Sequence, residues 1–348
     1  MKTKYSIIIG LLVLSTAQLV VAQDSTLTKK PSDTDKIKIL EKAISVLPKI
    51  SGLVNVRYQY STEANNYLTG KNGFDVRRMY LNATGNVSKE ISYKLQVDLA
   101  GTPRVLDAYV EWKPTTFIGL QAGQFKVPYT LENPYSPNTL ETADNSQVIT
   151  AFVTDVDGNK NNGRDIGLSV NGSLFPQTDF NLIEYKLGVF NGNVIDALDN
   201  NASKDYVGTL LVNPLKSVTV AASYYSGEYG PEATKYTRNR TAFGARYDDG
   251  KLLVRAEYLN GTTASKTGEG YYVSAAYYIT NQLQPVLKYD FYQSDKSNVN
   301  SPVTNYVVGL NYWATPKVRV QANYTHRDFK DSSKTDNDYF VAQLLLTF

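Results

Sequence analysis

From Ser51 to Phe348 the chain alternates apolar and polar residues with period two, about sixteen times over. Period two is the side-chain period of a β-strand. Val54, Val56, Tyr58 and Tyr60 alternate with Asn55, Arg57 and Gln59, and Val318, Val320, Ala322 and Tyr324 alternate with Arg319, Gln321 and Asn323. The last stretch, Tyr339 to Phe348, sets Phe340, Ala342, Leu344, Leu346 and Phe348 on one wholly apolar side. Each segment has roughly the ten residues that a tilted membrane-crossing strand needs. No stretch after the amino terminus is apolar enough for a spanning helix, and a membrane protein without helices has one option left, the closed barrel.

The connections support this option over a soluble two-sheet sandwich. Short turns (113–116, 213–216, 248–250, 280–282, 314–316) alternate with longer loops (62–72, 127–163, 191–204, 227–239, 262–268, 294–302, 327–337), Ala100–Arg104 being the one long-side connection that is short. Short periplasmic turns against long outer loops are the pattern of outer-membrane barrels. The apolar face is nearly free of charge, Asp75 and Arg77 being the expected exceptions near a rim. Tyrosine, 27 residues in all, gathers with Phe and Trp towards strand ends, as interfacial girdles do. The predicted fold is therefore all-β: a transmembrane antiparallel barrel of about sixteen strands over residues 51–348, with strand Phe340–Phe348 closing on Val54–Tyr60.

Lys2 and Lys4, the apolar run Ile7–Leu14 and small residues ending at Ala22 read as a signal peptide, 1–22. Residues 23–50 form an expected periplasmic segment. Within it Asp33 to Leu47 suits a short helix, with Ile37, Leu40, Ile44 and Leu47 on one face. The chain has no cysteine, which excludes disulfides, thiolate metal sites and a lipidated-cysteine anchor. Lys and Arg total 36 against 33 Asp and Glu, so no nucleic-acid partner is expected. One histidine, His326, builds neither a metal pair nor a catalytic triad, and no catalytic residue or enzyme activity is predicted.

The segments F74-D-V-R-R-M-Y-L81, L95-Q-V-D-L99, D107-A-Y-V-E-W112 and G123-Q-F-K-V-P-Y129 resemble the phosphate-selective porin O and P family. The resemblance implies a sixteen-stranded, usually trimeric outer-membrane channel for small solutes, anion-selective in its best-known members. It also implies that the terminal strand, through Phe340, Leu344, Leu346 and Phe348, is the signal for the barrel-assembly machinery. Loop 127–163 occupies the place of the third loop, which in sixteen-stranded porins folds into the lumen.

By strand parity the lumen receives Arg57, Arg78, Lys94, Lys186, Arg246, Arg255, Lys288 and Arg319, flanked by Lys126 and Arg164. Against these stand Asp98, Asp107, Glu111, Asp165, Glu184, Glu257 and Asp290. The third loop adds Glu132, Glu141 and Asp144 as acidic constriction candidates. Neighbouring charges such as Arg255 with Glu257, or Lys186 with Glu184, would brace the wall as ion pairs. The near balance predicts weak selectivity rather than a dedicated anion filter. Asp155, Asp157, Asn159 and Asn161 put oxygens at every second position, a spacing that can wrap Ca²⁺. The closing bidentate Glu is missing, so a plain polar loop is the favoured reading and no cofactor is expected. The function read from the sequence is passive diffusion of small hydrophilic solutes or ions, phosphate among them. The alternative is a structural or adhesive barrel with a plugged lumen, whose long loops bind outside partners.

Overall fold

In the computed structural model of the chain, residues 47–63, 71–154, 162–193, 195 and 197–348 are described. The expected signal peptide, the helix over 33–47 save its last residue, and the candidate Ca²⁺ residues Asp155, Asp157, Asn159 and Asn161 lie outside them. Sixteen strands follow in order: β1 (Lys49–Ser61), β2 (Asn72–Asn86), β3 (Ile91–Asp98), β4 (Arg104–Trp112), β5 (Gly119–Lys126), β6 (Arg164–Pro176), β7 (Asn181–Phe190) and β8 (Asp205–Leu215), then β9 (Val218–Tyr229), β10 (Tyr236–Asp248), β11 (Leu252–Thr263), β12 (Lys266–Tyr277), β13 (Leu283–Gln293), β14 (Pro302–Thr315), β15 (Val318–Phe329) and β16 (Asn337–Thr347). Each pairs antiparallel with its neighbours, and β1 pairs with β16, so the sheet closes into one barrel. The seam joins the two strands expected, in a register that sets Val54 opposite Leu346, Val56 opposite Leu344 and Tyr60 opposite Phe340. Gly52 and Phe348 exchange backbone bonds of 3.1 and 3.2 Å at its lower end. Closure leaves no unpaired edge, which a bilayer would penalise heavily.

The apolar side of each strand faces outward. Val56, Leu168, Val220, Phe243, Val308 and Leu344 are exposed on the outer surface, while Asn55, Gln59, Arg255, Asn311 and Gln321 are buried inside. The barrel starts at Lys49, two residues before the expected boundary. Strand β8, whose parity the sequence leaves open, points Tyr206 and Leu210 outward and Asp205, Val207 and Thr209 inward.

Two β-bulges correct the expected parity. In β2, Asn55 faces Arg78 while the next residue, Val56, faces Val76, so Arg77 is the extra residue. A bulge sets two residues against one and turns the strand. Arg77 therefore joins Arg78 on the inner side, and Asp75 lies inward opposite Arg57 rather than on the lipid face. In β4 the extra residue is Leu106, between Asp107 and Val105 in the ladder with β3. Leu106, which the alternation with Ala108, Val110 and Trp112 would set on the outer apolar face, is instead fully buried, in a cluster with Leu53, Tyr80 and Leu345.

A larger apolar cluster fills one side of the lumen. Loop residues Val127, Tyr129, Val148, Ile149, Phe152 and Val153 pack on Val207, Tyr225, Ala242, Leu259 and Tyr272, which point inward from β8 to β12. The loop's only helical stretch among the described residues, Gln147–Ile149 running on into Thr150–Thr154, supplies four of these side chains. Among the described residues no helix is long and apolar enough to cross a membrane; the crossing elements are strands.

Candidate pore and its constriction

The third loop leaves the wall after β5 and returns at β6, and in between it is fastened to the far wall. Glu257 of β11 accepts the backbone N–H groups of Leu131 (2.6 Å) and Glu132 (2.8 Å), while Tyr272 donates its hydroxyl to the same carboxylate (2.6 Å). Glu132 turns back into the loop and accepts both the N–H and the hydroxyl of Ser146, each at 2.8 Å. Glu141 ion-pairs with Arg255. Its carbonyl accepts from Gln321 (2.8 Å) and Asn311 (3.0 Å), and Arg319 donates to the carbonyls of Leu140 (2.9 Å) and Pro137 (3.1 Å). Ala143 N–H reaches Asn323 Oδ1 at 2.7 Å, and Gln147 N–H reaches Asp290 at 2.9 Å. These bonds satisfy an irregular backbone that would otherwise be buried with unpaired polar groups.

The loop thus occupies the lumen beside β8 to β12 and leaves a crescent open along the other strands. That space is a cavity of about 1230 Å³, larger than the ~300–1,000 Å³ of an ordinary ligand pocket. Eleven basic side chains line it against seven acidic ones. Arg57, Arg78, Lys94, Lys126, Arg164, Lys186 and Lys288 are among the eleven, as the parity reading expects. Arg246, Arg255 and Arg319 do not line it. Arg255 and Arg319 hold the loop, and Arg246 lies with Arg255 over the ring of Tyr135, at 5.9 and 4.6 Å.

The acidic candidates divide in the same way. Glu132 and Glu141 are 3% and 5% exposed and face the filled side. Asp144 alone of the three reaches the open cavity, half-buried between Arg77, Arg57 and Tyr339. Burial would raise its carboxyl pKa; the Arg77 and Arg57 guanidinium groups and the Tyr339 hydroxyl outweigh this and hold it well below the usual carboxylate range.

The bracing pairs expected between neighbours are replaced by longer-range partners. Arg255 pairs with Glu141 rather than Glu257, and Glu184 accepts from Asn213 Nδ2 at 3.2 Å. On the open wall Asp107 is shared by Lys94 and Arg164, each at 2.6 Å, and Lys126 donates to the carbonyls of Asn133 and Tyr135, both at 2.6 Å.

Sequence reasoning missed Arg77, hidden by the bulge. It also missed Arg238 and Arg240, inward and buried on β10. Arg238 pairs with Asp205 at 2.6 Å, and Arg240 donates to the Phe152 carbonyl. Their signal was present, since 238, 240, 242, 244 and 246 continue one parity into a stretch read as loop. His326 stands with Asp338 (2.9 Å), whose carboxylate also accepts the Tyr324 hydroxyl (2.8 Å). Among the described residues no group of His, Asp or Glu could hold a metal ion.

A family model described as phosphate-selective porin O and P matches residues 53–267 and 208–348. No curated protein sequence matches the chain. An anion-selective porin from Comamonas acidovorans superposes with a TM-score of 0.67 at 13% identity, over 86% of this chain and 99% of that one. OmpF of Salmonella typhi, in a complex with daunomycin, gives 0.65 at 14% identity, over 88% and 99%. The trimer form of OmpT from Vibrio cholerae gives 0.63 at 12%, over 86% and 99%. At such identities the likeness establishes a shared fold.

Proposed function

Because the chain belongs to the phosphate-selective porin O and P family, and so is a bacterial outer-membrane channel for passive diffusion of small hydrophilic solutes, we propose that its open crescent favours anions weakly. The carrying observation is the excess of basic over acidic side chains along that crescent. The excess is modest, and several of the cations are already engaged by wall or loop carboxylates. Small anions, phosphate among them, are drawn in without a dedicated ring of donors. Reversal potentials of the purified protein in asymmetric KCl test the reading: a small shift towards chloride is expected, and cation preference or strong exclusion of potassium refutes it. Family and fold are those of a channel, and we assign no catalytic role to any residue.

The likeness to a porin of trimer form supports a homotrimer, as does strand length. Strands β3, β4 and β5 have 8, 9 and 8 residues. Eight residues at ~3.3 Å each, tilted near 40°, rise about 20 Å against an apolar band of about 25 Å. A second copy on this low wall would cover the deficit, while lipid meets the taller strands. Light scattering in detergent should give three copies per particle. The outward side chains of Phe340, Leu344, Leu346 and Phe348 are assigned to recognition by the assembly machinery, a reading that rests on the family resemblance.

A further inference from the structure

Among the described residues, Asp144 is the third-loop carboxylate that reaches the open half of the lumen. It ion-pairs with Arg77 of β2, stands 3.9 Å from Arg57 Nη1 of β1 and accepts the Tyr339 hydroxyl of β16. Arg57 is also gripped by Asp75, through Nε at 3.0 Å and Nη2 at 2.6 Å. Next to this set, Arg78 Nη1 is buried with no hydrogen-bond partner among the described residues. Three guanidinium groups therefore meet two carboxylates, one fixed to the wall and one brought by the loop. Two arginines and a phenol hydroxyl around a carboxylate form the donor set that would hold a free oxyanion.

The loop does not need this charge to find its place. Its neighbours are pinned through backbone groups: before it, Ala143 N–H to Asn323 and the Glu141 carbonyl to Gln321 and Asn311; after it, Gln147 N–H to Asp290. We propose that Asp144 is a tethered internal anion and the selectivity-determining residue of this channel: it occupies the arginine cluster, competes there with permeant oxyanions and keeps the pore weakly selective. The proposal rests on the channel reading above.

The test uses the full chain in planar bilayers, with reversal potentials in asymmetric KCl and in potassium phosphate. Asp144→Asn keeps the shape and an acceptor for Tyr339 but removes the charge. It should raise the anion-to-cation permeability ratio at least about fivefold, since a unit charge ~4 Å from the path in water changes the occupancy of each ion about fivefold, in opposite senses. Asp144→Glu should leave the ratio near the wild-type value, and Arg77→Gln added to Asp144→Asn should bring it back down. If wild type conducts and Asp144→Asn leaves the ratio unchanged, or only adds current noise, Asp144 is an ordinary structural ion-pair partner and the proposal fails while the channel reading stands. A wild-type protein that does not conduct overturns both.

Discussion

Replacing Glu257 by alanine should unfasten the first half of the third loop. The Glu257 carboxylate, 3% exposed on β11, accepts from Leu131 N–H, Glu132 N–H and the Tyr272 hydroxyl at 2.6, 2.8 and 2.6 Å. Alanine leaves two backbone donors buried without a partner, at about 1–3 kcal/mol each. An irregular loop can shift to recover part of this loss, so the lower half of that range is taken for each donor, about 3 kcal/mol in total. A change of that size multiplies the population of the open loop by roughly a hundredfold. The tip should stay pinned through Arg319, Gln321, Asn311 and Asn323, because their bonds fall on residues 137–143. Single-channel recording should therefore show flicker and a larger mean conductance, not loss of the pore. Glu257→Gln keeps one acceptor oxygen and should lie between. If Glu257→Ala gave wild-type conductance and noise in a barrel of native heat-modifiability, the carboxylate would not be the loop's anchor and the reasoning would fail.

Two further outcomes follow from the same interior. Leu106→Ala empties a fully buried site beside Leu53, Tyr80 and Leu345 and should cost about 2–5 kcal/mol, read as a lower unfolding midpoint on heated gels; an unchanged midpoint would mean that Leu106 faces lipid after all. Burial would raise the Glu132 carboxyl pKa, but Lys288, Arg255 and the Ser146 bonds hold it below its usual value of 4.5. Because the folded-state value is depressed, the stabilisation from this carboxylate is complete above 4.5 and lost only as pH falls through the lower value. The difference in current noise between wild type and Glu132→Gln should then stay constant from pH 7 to about 4.5 and vanish only below; its disappearance near pH 6 would refute the assignment.

The strands were legible because a barrel wall separates two solvents. Lipid demands apolar side chains and the lumen accepts polar ones, so each crossing writes its alternation into the sequence, as Val318 to Tyr324 shows. The pairing of the first and last strands followed from the same rule. The bulges were not legible, because one extra residue changes parity only relative to a partner strand. Arg77 beside Arg78 reads as one arginine out and one in until β1 is laid against them. The division of the lumen charges was hidden for a related reason. Nothing near Arg255 in sequence says that its partner is Glu141, 114 residues away, or that Glu257 ends at the Leu131 amide. Most of the inward charges could be read from parity, Asp75, Arg77, Arg238 and Arg240 excepted. Which of them meet permeating solute depended on where an irregular loop lies down.

The way the loop lies also bears on how the cylinder is made. Most of its partners belong to strands that come later in the chain, from β8 to β16. Their inner faces complete their packing only against a loop that precedes them in the chain. Asp144 touches Arg77 of β2 and Tyr339 of β16, one strand to either side of β1. It bridges the join from within, and that bridge can form only when the first and last strands have met with the loop in place. A barrel shut without its loop would lack this rivet, so the contact reports completed assembly as well as shaping the channel.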